Sequence, residues 1–383
     1  MVDGGGRRMS SLYDKLRAMK PFAAPPREQP LQADCLIKRR AFPCADFPLR
    51  PISRDIMRVM DGVLPEKAIQ PEDIVFFDTE TTGLSGGVGT LAFVAGIGSF
   101  SGGEFVVTQY MIRDYHEEAS LLRHVLEALQ SCSLLVTFNG KSFDMPLIES
   151  RLVMNRLNNS FVAPSHLDLL HLARRVYKLR LQRCSLAALE TEVFGMQRED
   201  DLPGAQVPER FFRYLKTREE ALLDDVLRHN EQDILSMARL LFALILLHEK
   251  PLTAAFQEEL YSLGRIFERR GEVGRARQCY RAVGGGRLGE LAAVHIAESY
   301  RREKDHERAA DAFEALRLSG RGGAQVYISL AKIYEHRFRQ LDKALDIARR
   351  GMVYCLENLS GNASAYEDLK RRYNRLIIRT GGK

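Results

Sequence analysis

A chain of 383 residues has room for two compact domains at the usual ~100 to 200 residues each. Its 45% hydrophobic and 28% charged content describes a globular protein and excludes a wholly disordered one, while a formal charge of +6 favours polyanions without proving one. No stretch approaches the ~20 apolar residues of a bilayer span, the longest run being Leu240 to Leu247, so no membrane role is expected.

Arg7 and Arg8 are followed by no apolar core, which argues against a signal peptide. The cysteines at 35, 44, 132, 184, 279 and 355 form no C-x-x-C pair. They read as reduced, mostly buried thiols of a cytoplasmic protein, and a zinc site is not expected.

Residues 1–70 read as an extended arm, because Pro21, Pro25, Pro26 and Pro30 break anything beyond a short helix over Ser10 to Met19. Regular structure begins with a buried strand over 73–78, rich in β-prone residues and ending on Asp78 and Glu80. In an extended chain residues i and i+2 share a face, so these two carboxylates can converge. Carboxylates held that close repel unless a cation sits between them, and oxygen ligands suit Mg²⁺ or Mn²⁺. Gly83 is expected to turn the chain with φ > 0, leaving Leu84 at the lip of the site.

Strands over 91–97 and 104–111 complete an antiparallel meander, and apolar spacing from Glu117 to Leu129 marks a crossover helix. Leu134 to Phe138 is then a buried strand beside the first and parallel to it. Asn139 begins a turn into a helix ending near Arg156, with Asp144 in its first turn, a position where the helix dipole tolerates an acid. A helix over 167–179 leads into a basic stretch that includes Arg174, Arg175 and Lys178, which is either a solvated face or a track for phosphates. Thr217 to Glu220 reads as a capping box opening a long helical region towards Leu247, where His229 and Asp233 share one face.

From about 252 the pattern is all helix with an internal repeat. Phe267, Tyr300 and Tyr334 recur with Gly264, Ala297 and Ala331 three residues before each. Ala276, Ala309 and Ala344 keep a similar period, with Tyr280 and Phe313 four residues after the first two alanines. This pattern resembles three degenerate tetratricopeptide repeats, in which small residues mark helix crossings and aromatics fill the gaps.

Taken together, the acidic sites resemble the motifs of the DEDD exonucleases of the ribonuclease H-like superfamily, and more closely the YprB-like branch. The resemblance rests on Phe77 to Leu84, on Phe138-Asn139-Gly140 with Phe143-Asp144, and on His229-Asn230 with Asp233; it extends to Leu167 to His171, Ser185-Leu186 and the loop from Asp200 to Gly204. It implies an α/β fold: a ribonuclease H-like mixed sheet flanked by helices over 71–249, followed by an all-α tetratricopeptide-like domain over 252–383.

It also implies that Asp78, Glu80, Asp144 and Asp233 hold two divalent ions, Mg²⁺ or Mn²⁺, in a phosphodiesterase site. His229 would orient or deprotonate the attacking water, Leu84 and Asn139 would meet the terminal nucleotide, and Arg174, Arg175 and Lys178 would contact phosphates. One departure stands out. Such families carry a tyrosine four residues before the last aspartate or a histidine five before it, whereas His229 occupies the tyrosine's spacing. Asp168 reads as a helix N-terminal acid.

The function implied is a metal-dependent nuclease acting on DNA or RNA, specifically a 3′ to 5′ exonuclease, with the repeats guiding substrate or engaging a protein partner. A structure-selective endonuclease and a non-catalytic nucleic-acid-binding scaffold are the alternatives.

Overall fold

The structure is a computed structural model, and it describes residues 34–44, 47, 49–61, 65–83, 89–130, 132–157, 165–198, 202–358 and 362–381. Its centre is a six-stranded sheet formed by β1 (Leu36–Pro43), β2 (Ile74–Thr81), β3 (Ala92–Ser101), β4 (Glu104–Met111), β5 (Leu134–Thr137) and β6 (His166–Asp168), in the order β1-β4-β3-β2-β5-β6. The first four strands of that order pair antiparallel, while β2, β5 and β6 run parallel to one another. Parallel pairing puts the carboxyl ends of β2, β5 and β6 at one edge, where ligands of α/β sheets collect.

Alternation along β2 divides the interior into two layers. Ile74 and Phe76 face one apolar cluster, and Val75 and Phe77 face the other. Helix α1 (Arg54–Asp61) packs on the first side; the crossover helix α2 (Glu118–Gln130) and α3 (Asp144–Met154) cover the second. Helices α4 (Leu169–Tyr177) and α5 (Leu186–Phe194) join the first layer, and α6 (Val207–Thr217) the second. The 29-residue α7 (Ala221–Glu249) then crosses beneath the meander, contributing to both clusters.

What lets α7 lie so close is the absence of a side chain at two positions of β3. A Cβ on Gly96 would stand 2.2 Å from Asn230 Oδ1, and one on Gly98 would stand 2.5 Å from Ile234 Cγ2.

Beyond the sheet the described chain is helical. It forms three consecutive pairs, α8 (Gln257–Arg269) with α9 (Val273–Ala282), α10 (Gly286–Arg302) with α11 (His306–Leu318), and α12 (Gly323–His336) with α13 (Leu341–Glu357), then a terminal α14 (Ala363–Thr380). The recurring small and aromatic positions sit inside: Phe267, Ala276, Tyr280, Ala297, Ala309, Phe313, Ala331 and Ala344 are buried. Gly264 lies directly against Tyr280, where a Cβ would meet the ring at 2.6 Å.

Several local expectations are corrected. Within the segment read as an extended arm, Leu36–Pro43 forms an edge strand on β4 and Arg54–Asp61 a helix. The edge carries exposed Lys38, Arg39 and Arg40, charges that discourage further strand addition. The expected helix over 167–179 begins with β6, because Val136 and Thr137 of β5 pair with Leu167 and Asp168. Thr217 does not cap the long helix: it ends α6, its hydroxyl donating to the Arg213 carbonyl, and α7 opens after Glu220 with no side-chain cap. The break comes at Arg218, whose φ of 61° reverses the chain. Gly83 does not take a positive φ; its smallness serves close packing on Thr90, 3.1 Å from a notional Cβ.

Because the α7 crossing depends on bare backbone, Gly98→Ala should destabilise the protein by about 1–3 kcal/mol through overpacking against Ile234 and Phe105. Urea unfolding would show this as a lower midpoint at unchanged slope.

Candidate active site

The acidic residues assemble at the carboxyl ends of the parallel strands. Asp78 and Glu80 lie two apart on β2, beside a register irregularity at Glu80/Thr81 that ends regular pairing with β3. Asp144 opens α3 after β5, and Asp233 sits midway along α7. The carboxyl groups of Asp233, Asp144 and Glu80 all stand near enough to Asp78 to oppose its ionisation. Burial is the larger cause, and together they push the Asp78 carboxyl well above the ordinary carboxylate range.

Each acid is held by the chain around it. Asn230 is fully buried on α7; its Nδ2 donates to Asp78 Oδ2 at 2.9 Å, and its Oδ1 accepts from Gln109 Nε2 of β4 at 2.9 Å. Gln109 also donates to the Leu227 carbonyl, which fixes α7 to the sheet on both sides of the acid. Thr79 donates from its backbone N–H and from its hydroxyl to Asp144 Oδ1. Burial nevertheless raises Asp144 to about 6, with those bonds opposing the shift. Asp233 is likewise raised by burial, with His229 and Arg198 opposing.

Arg198 and Glu190 had no signal in the sequence. Arg198 follows α5 and reaches back to Glu190 of that helix with two bonds. The same guanidinium donates to Asp233 and lies 3.3 Å from His229 Nδ1. Glu190 is buried and also accepts from Ser236 of α7. No spacing rule links 190, 198 and 233; only the fold brings them together.

The remaining expected residues fall into three groups. His229 lies beside the acids, its Nε2 3.8 Å from Asp233 Oδ2. Asn139 takes a left-handed φ of 69° directly after β5, its N–H donating to Asp168 Oδ1. Asp168 is buried and also accepts from the N–H groups of Lys141 and Leu170, so it caps α4 while shaping the loop before Asp144.

Arg174, Arg175 and Lys178 lie at the far end of α4, and none of them lines the acid-bearing cleft. Arg175 and Lys178 donate to backbone carbonyls of His171 and Gln182. Leu84, Asp200 and Asp201 lie outside the described residues.

The cleft of about 520 Å³ is lined by Asp78, Glu80 and Asp144 on one wall and by Gly204, Val207 and Pro208 of the α6 approach on the other. Phe143 stands at its mouth with 55% of its surface exposed.

These acids suit a divalent ion in donor chemistry: all oxygen, largely buried and mutually repelling. Their present rotamers do not, since among the described residues no three carboxylate, imidazole or thiol groups stand where one ion could bind them. Asp233 is turned to Arg198, Asp144 to Thr79 and Asp78 to Asn230.

Comparison with known proteins bears on this arrangement. Residues 75–245 match the RNase_H_2 family, described as RNase_H superfamily. The uncharacterized protein YprB of Bacillus subtilis (strain 168) is 32% identical over 303 residues, covering 76% of this chain and 72% of that protein. Among solved structures, the family B DNA polymerase from the hyperthermophilic archaeon Pyrobaculum calidifontis overlaps 60% of this chain at 15% identity and a TM-score of 0.35. The chain spans 29% of that polymerase, and the likeness is slight. No helix among the described residues is long and apolar enough to cross a membrane.

An acid whose folded-state pKa is raised keeps a proton that the unfolded chain has lost, so stability falls as pH rises through the interval between the two. For Asp144 that interval runs from the ordinary carboxylate range to about 6. Metal-free Asp144→Asn should therefore melt several degrees above the wild type at pH 7.5, with the gap closing near pH 4; calorimetry at both pH values checks it.

Proposed function

This chain belongs to the same family as YprB and carries an RNase H superfamily domain, and from that membership we propose that it is a metal-dependent nuclease, specifically a DEDD-type 3′ to 5′ exonuclease. The observation that supports the reading most is that Glu80, Asp144 and Asp233, from three separate parts of the chain, all oppose the ionisation of Asp78, with Asp78, Glu80 and Asp144 lining one cleft.

In this reading those four residues hold the divalent ions, Mg²⁺ or Mn²⁺, which when bound activate water and stabilise the departing oxygen. The chain's own groups prepare the site. Asn230 and Gln109 orient Asp78, and Thr79 orients Asp144. His229 positions the attacking water, and Arg198 on its other ring nitrogen sets the plane of the imidazole. Phe143, exposed at the cleft mouth, offers a face for stacking a terminal base, an interaction that tolerates any sequence. Asn139 sits where the loop after β5 approaches the same region.

The functional units are residues 71–249 as nuclease and 252–383 as tetratricopeptide-like repeats that guide substrate or seat a protein partner. Six free thiols, five of them buried, accord with a cytoplasmic setting.

One observation favours a non-catalytic nucleic-acid-binding reading instead: Arg198 already supplies a positive charge to Asp233. Cleavage of 5′-labelled and 3′-labelled DNA and RNA in Mg²⁺ or Mn²⁺ separates the two. A nuclease gives a ladder that shortens from the 3′ end, and Asp78→Ala lowers its rate by about 10³-fold or more, the scale on which transition-state charge stabilisation operates. Equal background with wild type and variant would support the binding role.

A further inference from the structure

The helical half carries a second concavity that differs in chemistry from the acidic cleft. It has a volume of about 500 Å³ and is walled by Arg301 and Arg302 at the end of α10, Lys304 in the following turn, Lys332 and Arg337 at the end of α12, and Arg372 of α14. His306 and His336 complete its polar lining, and among the described residues no acid lines it.

Helix ends explain only part of this gathering. The carboxyl termini of α10 and α12 each present about half a negative charge, which favours nearby cations. The nearest carboxylates are already engaged: Glu298 with Arg301, Glu268 with Arg302, and Glu335 with Arg372, Arg375 and Arg379. Asp305 caps α11 and pairs with Arg308. Lys304, Lys332 and Arg337 have no ion-pair partner among the described residues, which leaves about two positive charges beyond what the helix ends offset.

Two buried polar atoms belong to this lining and have no hydrogen-bond partner among the described residues: Nε of Arg372 and Nδ1 of His306. Arg372 is itself 6% exposed. Buried groups are paired in the great majority of cases, so two orphans just behind one lining set this place apart from the other helix junctions.

We propose that this concavity is a second nucleic-acid contact, in which Lys304, Lys332 and Arg337 hold phosphodiester groups of the strand whose end lies in the acidic cleft. The choice of nucleic acid as the ligand rests on the nuclease reading above. Compact, hydrated lysines and an exposed arginine suit successive phosphates of a flexible backbone, which carry charge without demanding a base sequence.

The test uses the full chain and 30-nucleotide single strands of DNA and RNA, measured by fluorescence anisotropy in EDTA so that nothing is cleaved. The triple variant Lys304→Glu/Lys332→Glu/Arg337→Glu changes only exposed residues outside the acidic cleft. Its comparison is Lys67→Glu/Lys250→Glu/Arg287→Glu, with the same charge change at exposed positions away from the concavity.

The first variant should weaken binding of at least one of the two strands by about tenfold or more and reduce the logarithmic salt slope by about 2, the value for three lost single-strand phosphate contacts. The second should change affinity less than threefold. Equal losses in both variants, or none in either, would overturn the proposal. So would an acidic peptide of matched charge that binds the wild type more tightly than either strand and is lost in the first variant, since the site would then seat a protein.

Hydrolysis of p-nitrophenyl thymidine 5′-phosphate in Mn²⁺, too short to reach the helical half, keeps the two readings apart. Cleavage by wild type with strand binding indifferent to the first variant sinks the second contact alone. Strand binding that depends on the concavity, with no cleavage of any substrate, sinks the nuclease alone.

Discussion

Helix α7 touches bare backbone where it crosses β3, and the site depends on that contact. Gly96 leaves room for Asn230 to slide between strand and helix, so one buried amide can serve Asp78 on one side and Gln109 on the other. A buried amide is costly unless both ends are satisfied. Here both are, and this pair of bonds helps fix the register of a 29-residue helix against the sheet. Asp233 lies three residues beyond Asn230, so the same contact delivers it to the acids of β2 and α3.

Gathering these acids works against folding. Asp78, Asp144 and Asp233 are all raised by burial, and Asp78 is raised further by its neighbours, so ionising the metal-free site is harder than ionising the same acids in water. Arg198 relieves part of this strain by spanning Glu190 and Asp233, two acids on different helices. Removing one member of such a buried set would strand the others, which ties the segment after α5 to the acid cluster.

The two halves of the chain are not independent beads. One apolar cluster runs from Phe76 and Val136 of the sheet through α4 and α7 into Leu263, Phe267, Ala276 and Tyr280 of the first helical pair. Farther on, Ala297, Phe313, Leu330 and Ile347 form a core of their own. The first pair is thus anchored to the sheet, and the later helices, with their basic concavity, follow from it.

Much of this was legible in the residues alone. Apolar, β-prone runs between turn residues marked β2, β3, β4 and β5, and the spacing of small and aromatic residues marked the helix crossings from Gly264 onward, because both are local features of the chain. Local pattern failed where tertiary pairing decided the outcome. Three residues of β6 are too short to show a period and exist because β5 offers them a partner. The edge strand β1 lies in a segment whose prolines pointed to an arm, and it is held by β4.

At the site, the four acids were singled out by their order and contexts, since each sits at a strand end or on a helix face that the chain itself defines. The partners that orient and neutralise them did not. Gln109 beside Asn230, Thr79 beneath Asp144, and Arg198 between Glu190 and Asp233 are separated by tens of residues or lie on unrelated elements, and buried hydrogen bonds between such groups leave no periodic trace in the sequence. Their positions were settled by tertiary packing, because only packing determines which polar groups lose water together and must satisfy one another.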